Sequence, residues 1–301
     1  MRSLSAAFSI IMIGAMVLVV SGANAEQKGT PYCGRTNPSR YREVDYGGGN
    51  IYEMTLLESK TVGTNILYIK RGIIPARAGI GVHTHKEMEE MYFVFNAPAE
   101  FTVDGHTSLL PANTCVLCPL GSSHALYNNS DKTLEFLTIA VTKVKDKGDE
   151  NIKYGEVPKR AKLETPTVFR WANFDRSLTK LVGPAHIGKG KILNRRPWLD
   201  GNFETNWVRV GHCILPPDTS IGYHQHKGME EVYYVMKGTG RMTVNDHTWD
   251  VMPGDATPCS IHDSHGIYNN SDEDLEIFVL MVSMEKDKLD SKNWGDDLSN
   301  R

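Results

Sequence analysis

The sequence lacks long basic runs, and its longest apolar stretch is short for a membrane-spanning helix. Its 33 basic and 36 acidic residues give a formal net charge of −3. Nucleic-acid binding usually depends on a basic surface, so we expect no nucleic acid among the partners. With 301 residues, of which 40% are apolar and 23% are charged, the chain is long enough for one or two soluble domains with substantial cores.

Cysteine is also scarce, and its pattern predicts no catalytic thiol. The five cysteines are Cys33, Cys115, Cys118, Cys213 and Cys259. An odd number leaves at least one thiol unpaired. Cys115 and Cys118 have the spacing of a redox pair, but residues i and i+3 of a strand face opposite ways, which argues against a disulfide between them.

The N-terminus has the features of a targeting segment. Arg2 supplies a positive charge, residues 6–20 form an apolar core, and Ala-Asn-Ala at 23–25 is a small-x-small cleavage site. A permanent anchor is the alternative, but the apolar core is short for a bilayer. We therefore expect residues 1–25 to be a cleaved signal peptide. The mature protein is then periplasmic or secreted, and has no membrane attachment after cleavage.

One pattern of histidines and acids occurs twice. Its first copy comprises His83, His85, Glu89, Glu90 and His124. Its second copy, 141 residues later at every position, comprises His224, His226, Glu230, Glu231 and His265. On an extended strand, side chains at i and i+2 point to the same face, so two imidazoles can converge on one metal ion. Isolated His-x-His pairs are usually surface or core histidines, whereas this duplication favours metal binding at one or both copies.

The segments around the two copies favour an all-β fold. Apolar strand-like runs match at the same offset, at 64–69 and 205–210, and again at 134–141 and 275–282. Asp104-Gly105 is a hairpin signal. Each copy contains roughly eight to ten short strands separated by turns, which is typical of a jelly roll or a small antiparallel barrel. We therefore predict two such barrels in tandem.

Changes in composition give the predicted boundaries. Residues 26–50 and 143–190 are polar or charged with little apolar periodicity, and so is the C-terminal end. The predicted segments are a signal peptide at 1–25, an N-terminal arm at 26–50, a first domain at 51–142, an interdomain linker at 143–190, a second domain at 191–285 and a C-terminal tail at 286–301.

In these motifs the chain resembles the cupin superfamily, and in particular its two-domain bicupins. The first cupin motif, His-x-His, four residues, Glu, six residues, Gly, is complete in the second copy with Gly238, whereas Ala97 replaces the glycine in the first. The second motif, Pro-x-Gly, two residues, His, three residues, Asn, is complete in the first copy, while Ser260 and His262 replace its Pro and Gly in the second. The resemblance implies two cupin (double-stranded β-helix) barrels.

The resemblance also implies two metal sites with the family's ligand roles at the matching positions. These ligands are His83, His85, Glu90 and His124 in the first domain, and His224, His226, Glu231 and His265 in the second. Cupins with this set usually hold manganese or iron(II), and sometimes nickel, zinc or copper, ions that suit imidazole and carboxylate donors. The set contains no cysteine, so a structural thiolate zinc site is not implied. Cupins often dimerise through sheet edges, so the resemblance allows a homo-oligomer.

The neighbouring acids and the other histidines receive no ligand role. Because successive side chains on a strand face opposite sides, only one acid of each pair can face the metal, and the motif spacing favours Glu90 and Glu231. We expect Glu89 and Glu230 to be outward, solvated or hydrogen-bonded acids. The histidines outside the ligand sets are His106 and His247, which lie beside predicted turns, His262, and His186 and His212, which have no counterpart in the repeat.

An open coordination position on such a metal can polarise a carboxylate, activate water or bind dioxygen. Two complete ligand sets favour a metal-dependent enzyme that oxidises, decarboxylates, cleaves or isomerises a small oxygen-rich molecule, such as an organic acid or a sugar derivative. The alternatives are a non-catalytic cupin that binds a sugar or small acid around a structural metal, and a partner-binding role. The sequence identifies no catalytic acid or base.

Two further observations bear on the substrate and the active domain. Bicupin oxalate decarboxylases resemble one another in an arginine three residues before the first ligand histidine, and Ile80 and Ile221 stand there in this chain. The missing charge counts against oxalate. We expect only one domain to turn over substrate, and the intact second motif of the first domain favours that domain.

Overall fold

The computed structural model describes residues 33–158, 162–165 and 169–301. The predicted signal peptide and residues 26–32 of the predicted arm lie outside them. Among the described residues no helix is long and apolar enough to cross a membrane. The helices there are short 3-10 turns, at Pro38–Arg40, Ser59–Thr61, Arg176–Leu178 and Asp200–Asn202.

All other regular elements of the described ranges are strands, which confirms the all-β prediction. The first domain contains β1 (Arg42–Asp45), β2 (Gly47–Gly48), β3 (Asn50–Glu58), β4 (Ile66–Ile74), β5 (Gly79–Thr84), β6 (Met88–Val94), β7 (Ala99–Val103), β8 (His106–Leu110), β9 (Thr114–Cys118), β10 (Ser123–Tyr127), β11 (Leu134–Thr142) and β12 (Trp171–Asn173). The second domain contains β13 (Lys180–Val182), β14 (Ile192–Leu199), β15 (Trp207–Leu215), β16 (Ser220–Gln225), β17 (Met229–Lys237), β18 (Gly240–Val244), β19 (His247–Val251), β20 (Ala256–Cys259), β21 (Ser264–Tyr268), β22 (Leu275–Ser283) and β23 (Lys292–Asn293).

Each domain consists of two antiparallel sheets. In the first domain the strand orders are β1-β3-β4-β11-β6-β9-β12 and β2-β5-β10-β7-β8. In the second domain they are β13-β14-β15-β22-β17-β20 and β19-β18-β21-β16-β23. Strands distant in sequence, such as β4 and β11, are neighbours, as in a jelly roll. Each domain encloses an apolar core with residues from both of its sheets. The two predicted tandem barrels are therefore confirmed.

A third apolar core lies between the domains, where their larger sheets meet. On β6, Tyr92 and Val94 face the core of the first barrel, whereas Met91 and Phe93 belong to the interdomain core. Val232 on β17 of the second domain belongs to the same interdomain core. Because alternate side chains of a strand point to opposite faces, β6 is buried on both sides and has a continuous apolar run.

The interdomain face also contains two buried carboxylates, each of which binds a turn of the other domain. Glu230, on β17, accepts hydrogen bonds from the backbone N–H groups of Gly63 and Thr64 at 2.6 and 2.7 Å and from Thr64 Oγ1 at 2.5 Å. Glu89, on β6, accepts from the N–H groups of Glu204 and Thr205 at 3.0 and 2.8 Å and from Thr205 Oγ1 at 2.6 Å. We call this exchange the reciprocal glutamate clasp.

The expectation that Glu89 and Glu230 are outward, solvated or hydrogen-bonded acids is confirmed in its hydrogen-bonded form. Both face away from their own barrel, but they are only 1% and 0% exposed. The sequence could not show that another domain covers this face.

A lysine from the same domain supports each clasped turn. Lys145 donates through Nζ to the carbonyls of Ser59, Val62 and Thr64 at 3.1, 2.8 and 3.1 Å. Lys286 donates to the carbonyls of Phe203 and Thr205 at 2.7 and 3.4 Å. Both lysines begin a KDKxD segment, at 145–149 and 286–290, which repeats at the 141-residue offset. Each clasped turn is therefore held through its amides by one domain and through its carbonyls by the other.

Segments outside the two predicted domains also contribute to the sheets. The predicted arm supplies β1 and β2, the predicted linker supplies β12 and β13, and the predicted tail supplies β23. Gly34 forms a bridge to Ala256 on β20, so the arm reaches the second domain, where Arg35 pairs with Asp255 at 2.9 Å. These short edge strands lack apolar alternation, which explains why their composition led to their assignment to an arm, a linker and a tail rather than to the domains.

The clasp predicts a large loss of stability when one carboxylate is removed. Glu230→Ala leaves the buried N–H and hydroxyl of Thr64 and the partly buried N–H of Gly63 without their acceptor, and we expect the free energy of unfolding to fall by about 3 kcal/mol. Urea denaturation measures this loss. Glu87→Ala, which removes a half-exposed acid paired with Lys143, is the control and should change stability by less than about 0.5 kcal/mol. Equal effects of the two variants would contradict the role of the clasp.

Candidate metal centres and the cavity in the second domain

Four predicted ligands meet inside the first barrel. His83 lies on β5, Glu90 on β6 and His124 on β10, and His85 follows β5 directly. The Nε2 atoms of His83, His85 and His124 are 3.6, 3.2 and 3.1 Å from Glu90 Oε2. One donor atom from each residue lies within 4.8 Å of all the others, and all four side chains are buried.

The second barrel repeats this arrangement with the other four predicted ligands. Nε2 of His224 and His265 lie 3.5 and 3.1 Å from Glu231 Oε2, and Nε2 of His226 lies 3.6 Å from Glu231 Oε1. The donor atoms again lie within 4.8 Å of one another. The structure therefore brings the eight residues together in two sets of four.

Backbone contacts direct the histidine Nε2 atoms into these centres. The Nδ1 atoms of His83 and His224 lie 2.8 Å from the carbonyls of Gly81 and Gly222, and those of His124 and His265 lie 3.2 Å from the carbonyls of Ser122 and Asp263. An imidazole that donates from Nδ1 has the lone pair of Nε2 free for a metal.

The donor sets fit a divalent metal ion. The buried Nε2 atoms of His85, His224 and His226 have no hydrogen-bond partner, and leaving such atoms unsatisfied costs free energy. An ion at each centre would satisfy them, and three imidazoles with one carboxylate suit manganese, iron(II) and related ions.

The KDKxD segments position the remaining ligand histidines. Asp149 Oδ2 lies 3.5 Å from His85 Nδ1 and accepts from the Glu87 N–H at 3.1 Å, while Asp149 Oδ1 accepts from the Lys86 N–H at 2.8 Å. In the second domain the backbone carbonyl of Asp290 accepts from His226 Nδ1. The sequence analysis missed these residues, although the repeated KDKxD pattern was a signal that could have identified them.

Both ligand glutamates are ionised. Burial would raise the pKa of Glu90, but the adjacent imidazoles of His124, His83 and His85 hold it well below its usual range. Glu231 shows the same balance between burial and its three histidines, and its pKa is also well below the usual range. Each centre therefore presents a carboxylate rather than a carboxylic acid.

The first centre is closely surrounded by polar partners. Tyr68 and Tyr92 both donate to the Glu90 carboxylate, the latter at 2.9 Å, and Thr138 donates at 3.3 Å. The Tyr154 ring packs against the His83 ring with centroids 4.7 Å apart. Beside these residues, Glu53 accepts from Lys70 Nζ at 2.8 Å and from the Tyr46 hydroxyl at 2.9 Å. This side of the first centre is filled by a closed hydrogen-bond network.

The second domain keeps one of these bonds, from Tyr233 to Glu231 at 2.8 Å, but other positions of the network hold different residues. The residues 141 positions later are Arg209 for Tyr68, Gly211 for Lys70, Asn194 for Glu53 and Val279 for Thr138. A cavity of about 70 Å³ lies there instead, with Glu231 and Arg209 in its walls. Arg209 also lines a second cavity of about 180 Å³ together with His226 and Glu231. Its Nε atom is buried and has no hydrogen-bond partner.

His186, which had no predicted role, covers the second centre. Its ring stacks on the ligand His224 with centroids 3.7 Å apart and an interplanar angle of 6°. Its Nδ1 lies 2.8 Å from Asn293 Oδ1, which fixes the ring. His186 and Ile187 both have positive φ, 51° and 59°, which is unusual for a β-branched residue such as Ile187. Burial, and then His224, lower the pKa of His186 to about 4.

The other histidines lie away from the metal centres or act through the backbone. His106 and His247 are exposed at the starts of β8 and β19, and His212 bonds Glu276 at 2.6 Å. His262 has φ 71° and donates its N–H to the His226 carbonyl at 2.8 Å, as Gly121, with φ 77°, does to the His85 carbonyl at 2.7 Å. The altered second motif therefore keeps the backbone geometry of the complete one.

Known proteins match this architecture. The cupin domain family model matches residues 71–140 and 211–282. An oxalate-binding protein of Thermotoga maritima is 34% identical over 68 residues, which are 23% of this chain and 56% of that protein. The chain thus spans little more than half the length of this relative.

Solved structures of oxalate decarboxylase from Bacillus subtilis share the whole fold. A variant of that enzyme has a TM-score of 0.60 at 16% identity, and the matched region covers 87% of this chain and 79% of the enzyme's chain. A structure concerned with the Mn(II) centres of the enzyme has a TM-score of 0.59 at 15% identity, with the same coverage. At this identity the likeness shows the fold. With a cupin match in each half and two jelly-roll barrels in tandem, the chain belongs to the cupin superfamily and is a bicupin.

Proposed function

We propose that this bicupin is a metal-dependent enzyme that binds an organic acid at the second centre and cleaves or oxidises it. The observation that carries the proposal is the Arg209 guanidinium, which shares a cavity with Glu231 and has an unsatisfied buried Nε atom. A carboxylate can accept two parallel hydrogen bonds from a guanidinium, which gives both attraction and orientation.

Arg209 supplies a positive charge for an acidic substrate in place of the missing arginine before His224. Ile221 leaves no arginine three residues before His224, but Arg209 reaches the same centre from β15. Burial, and then Arg196, lower the pKa of Arg209. Arg209 is partly buried and forms no ion pair with another residue of the described ranges, so a bound anion would offset the cost of its desolvation.

The other residues of the second centre have separate roles in this proposal. Glu231 and the three histidines hold the metal, which supplies Lewis-acid chemistry to a bound carboxylate when present. Tyr233 donates to Glu231 Oε2 at 2.8 Å and fixes the orientation of that carboxylate. Ile221, Val279 and Met281 form apolar walls of the cavity. Exclusion of water by these walls strengthens the attraction between Arg209 and an acid.

For the first centre we propose a structural metal. Tyr68, Tyr92 and Thr138 already bond to Glu90, and Lys70 is paired with Glu53. This closed network favours the non-catalytic alternative for the first domain, in contrast to the expectation drawn from its intact second motif. Manganese or iron(II) is the proposed ion at both centres, and the Mn(II) centres of the Bacillus subtilis enzyme support manganese.

We also propose that the protein is exported, as its N-terminal sequence predicts. Cleavage after Ala25 would leave Glu26 as the first residue. Expression of the full chain in a bacterium, followed by fractionation and intact-mass measurement, should recover a periplasmic or secreted protein that begins at Glu26. Recovery of the uncleaved chain in the membrane fraction would contradict export in soluble form.

Both centres should hold metal. Elemental analysis of protein purified without chelator should give two ions per chain, one for each ligand set. His83→Ala and His224→Ala should each reduce the ratio to about one, whereas His106→Ala, which changes an exposed histidine, should not. Because metal binds the folded state, chelation should lower the melting temperature by about 5 °C or more. An unchanged melting curve would count against both centres.

Removal of the Arg209 charge should separate acid binding from metal binding. We expect Arg209→Gln to weaken the binding of oxalate to the manganese-loaded protein by about 100-fold, because the charge-assisted hydrogen bonds are lost. Metal content should stay at the wild-type ratio. Arg77→Gln is the matched control, since Arg77 pairs with Asp131 at the surface. Oxalate binding that both variants retain would argue against an acid site at Arg209.

A further inference from the structure

A groove on the surface of the second domain adjoins the cavity of the second centre. It has a volume of about 770 Å³ and is bounded by β13, β14 and residues 183–186. The residues that it shares with the 70 Å³ cavity are Ala185, His186, Ile192, Asn194 and Arg196. The two spaces therefore adjoin along a common wall.

The inner cavity is too small for a substrate of ordinary size. A water molecule occupies about 30 Å³ of liquid volume, so a space of about 70 Å³ accepts only a few non-hydrogen atoms. A larger molecule with one end beside Glu231 and Arg209 has room for its other end in the adjoining groove, which is also larger than the 180 Å³ cavity on the His226 side. The small cavity thus fits the head group of a ligand, and the groove fits the remainder.

The groove combines apolar walls with an unpaired cation. Leu178, Val182, Pro184 and Ile192 supply apolar surface. Arg196 lines both the groove and the inner cavity, and it makes no hydrogen bond or ion pair with another residue of the described ranges. By contrast, its neighbour Arg195 donates to the Asn173 carbonyl.

We propose that the acid bound at the second centre is a dicarboxylic acid longer than oxalate. Its first carboxylate lies at Arg209 and the metal, its carbon chain contacts the apolar groove, and its second carboxylate pairs with Arg196. Arg196 is thus a specificity-determining residue that selects ligands with two separated charges. This inference rests on the proposed function of the second centre.

The first domain supports this assignment by contrast. Thr55 stands at the position equivalent to Arg196, and Glu53, at the position of Asn194, is paired with Lys70. The first domain therefore has no counterpart of Arg196, and its own cavity of about 450 Å³ lies on a different side, beside His83 and residues 149–153.

Titration calorimetry on the manganese-loaded protein tests the proposal with acids of matched length. The probes are oxalate, succinate and adipate, with butyrate and hexanoate as the monoacids that lack the second carboxylate. Succinate or adipate should bind about tenfold or more tightly than its monoacid. Arg196→Gln should remove this margin and reduce the affinity for oxalate by a smaller factor than the affinity for adipate, and Arg196→Lys should restore part of the margin. Arg176→Gln, which removes a nearby charge paired with Asp274, should leave all affinities unchanged.

The outcomes distinguish this inference from the proposed function. If oxalate binds through Arg209 but neither longer diacid gains over its monoacid, the selection by Arg196 is wrong and the proposed function stands. An equal loss of oxalate and adipate in Arg196→Gln would also overturn the selection. If no acid of the series binds, the proposed function itself fails.

Discussion

The alternation of side chains along two strands is the constraint on which this structure depends. Glu90 and Glu231 point into their barrels and meet three histidines each, while the preceding residues, Glu89 and Glu230, point out and bind the other domain. Adjacent acids thus serve the metal centre and the domain interface. A shift of register by one residue would exchange these roles and disrupt both.

The sequence was sufficient to predict the fold and the two clusters of three histidines and one glutamate, because both follow from residue spacing and the repeat. His-x-His on a strand and a recurring 141-residue offset do not depend on how the domains pack. The role of Glu89 does depend on it, since its partners are Glu204 and Thr205. Local sequence contains no information on that contact.

Other features that the sequence analysis did not predict have different physical reasons. The KDKxD repeat was visible, but a charged segment without apolar periodicity was interpreted as a linker or a tail. Arg209 has no motif spacing, and only the folded chain places β15 beside Glu231. The second motif does not distinguish the backbones of the two domains, because His262 adopts the left-handed conformation that its glycine counterpart has. Residue identity changed there while the local geometry stayed the same.

The reciprocal clasp has a consequence for the origin of the chain. Each half gives a carboxylate to the other and receives one in return, at positions related by the same 141-residue offset. This is the form of an isologous contact between identical subunits. A single-barrel ancestor could therefore have made the same exchange as a symmetric dimer, and fusion of its duplicated genes would have preserved the contact while freeing one copy to diverge.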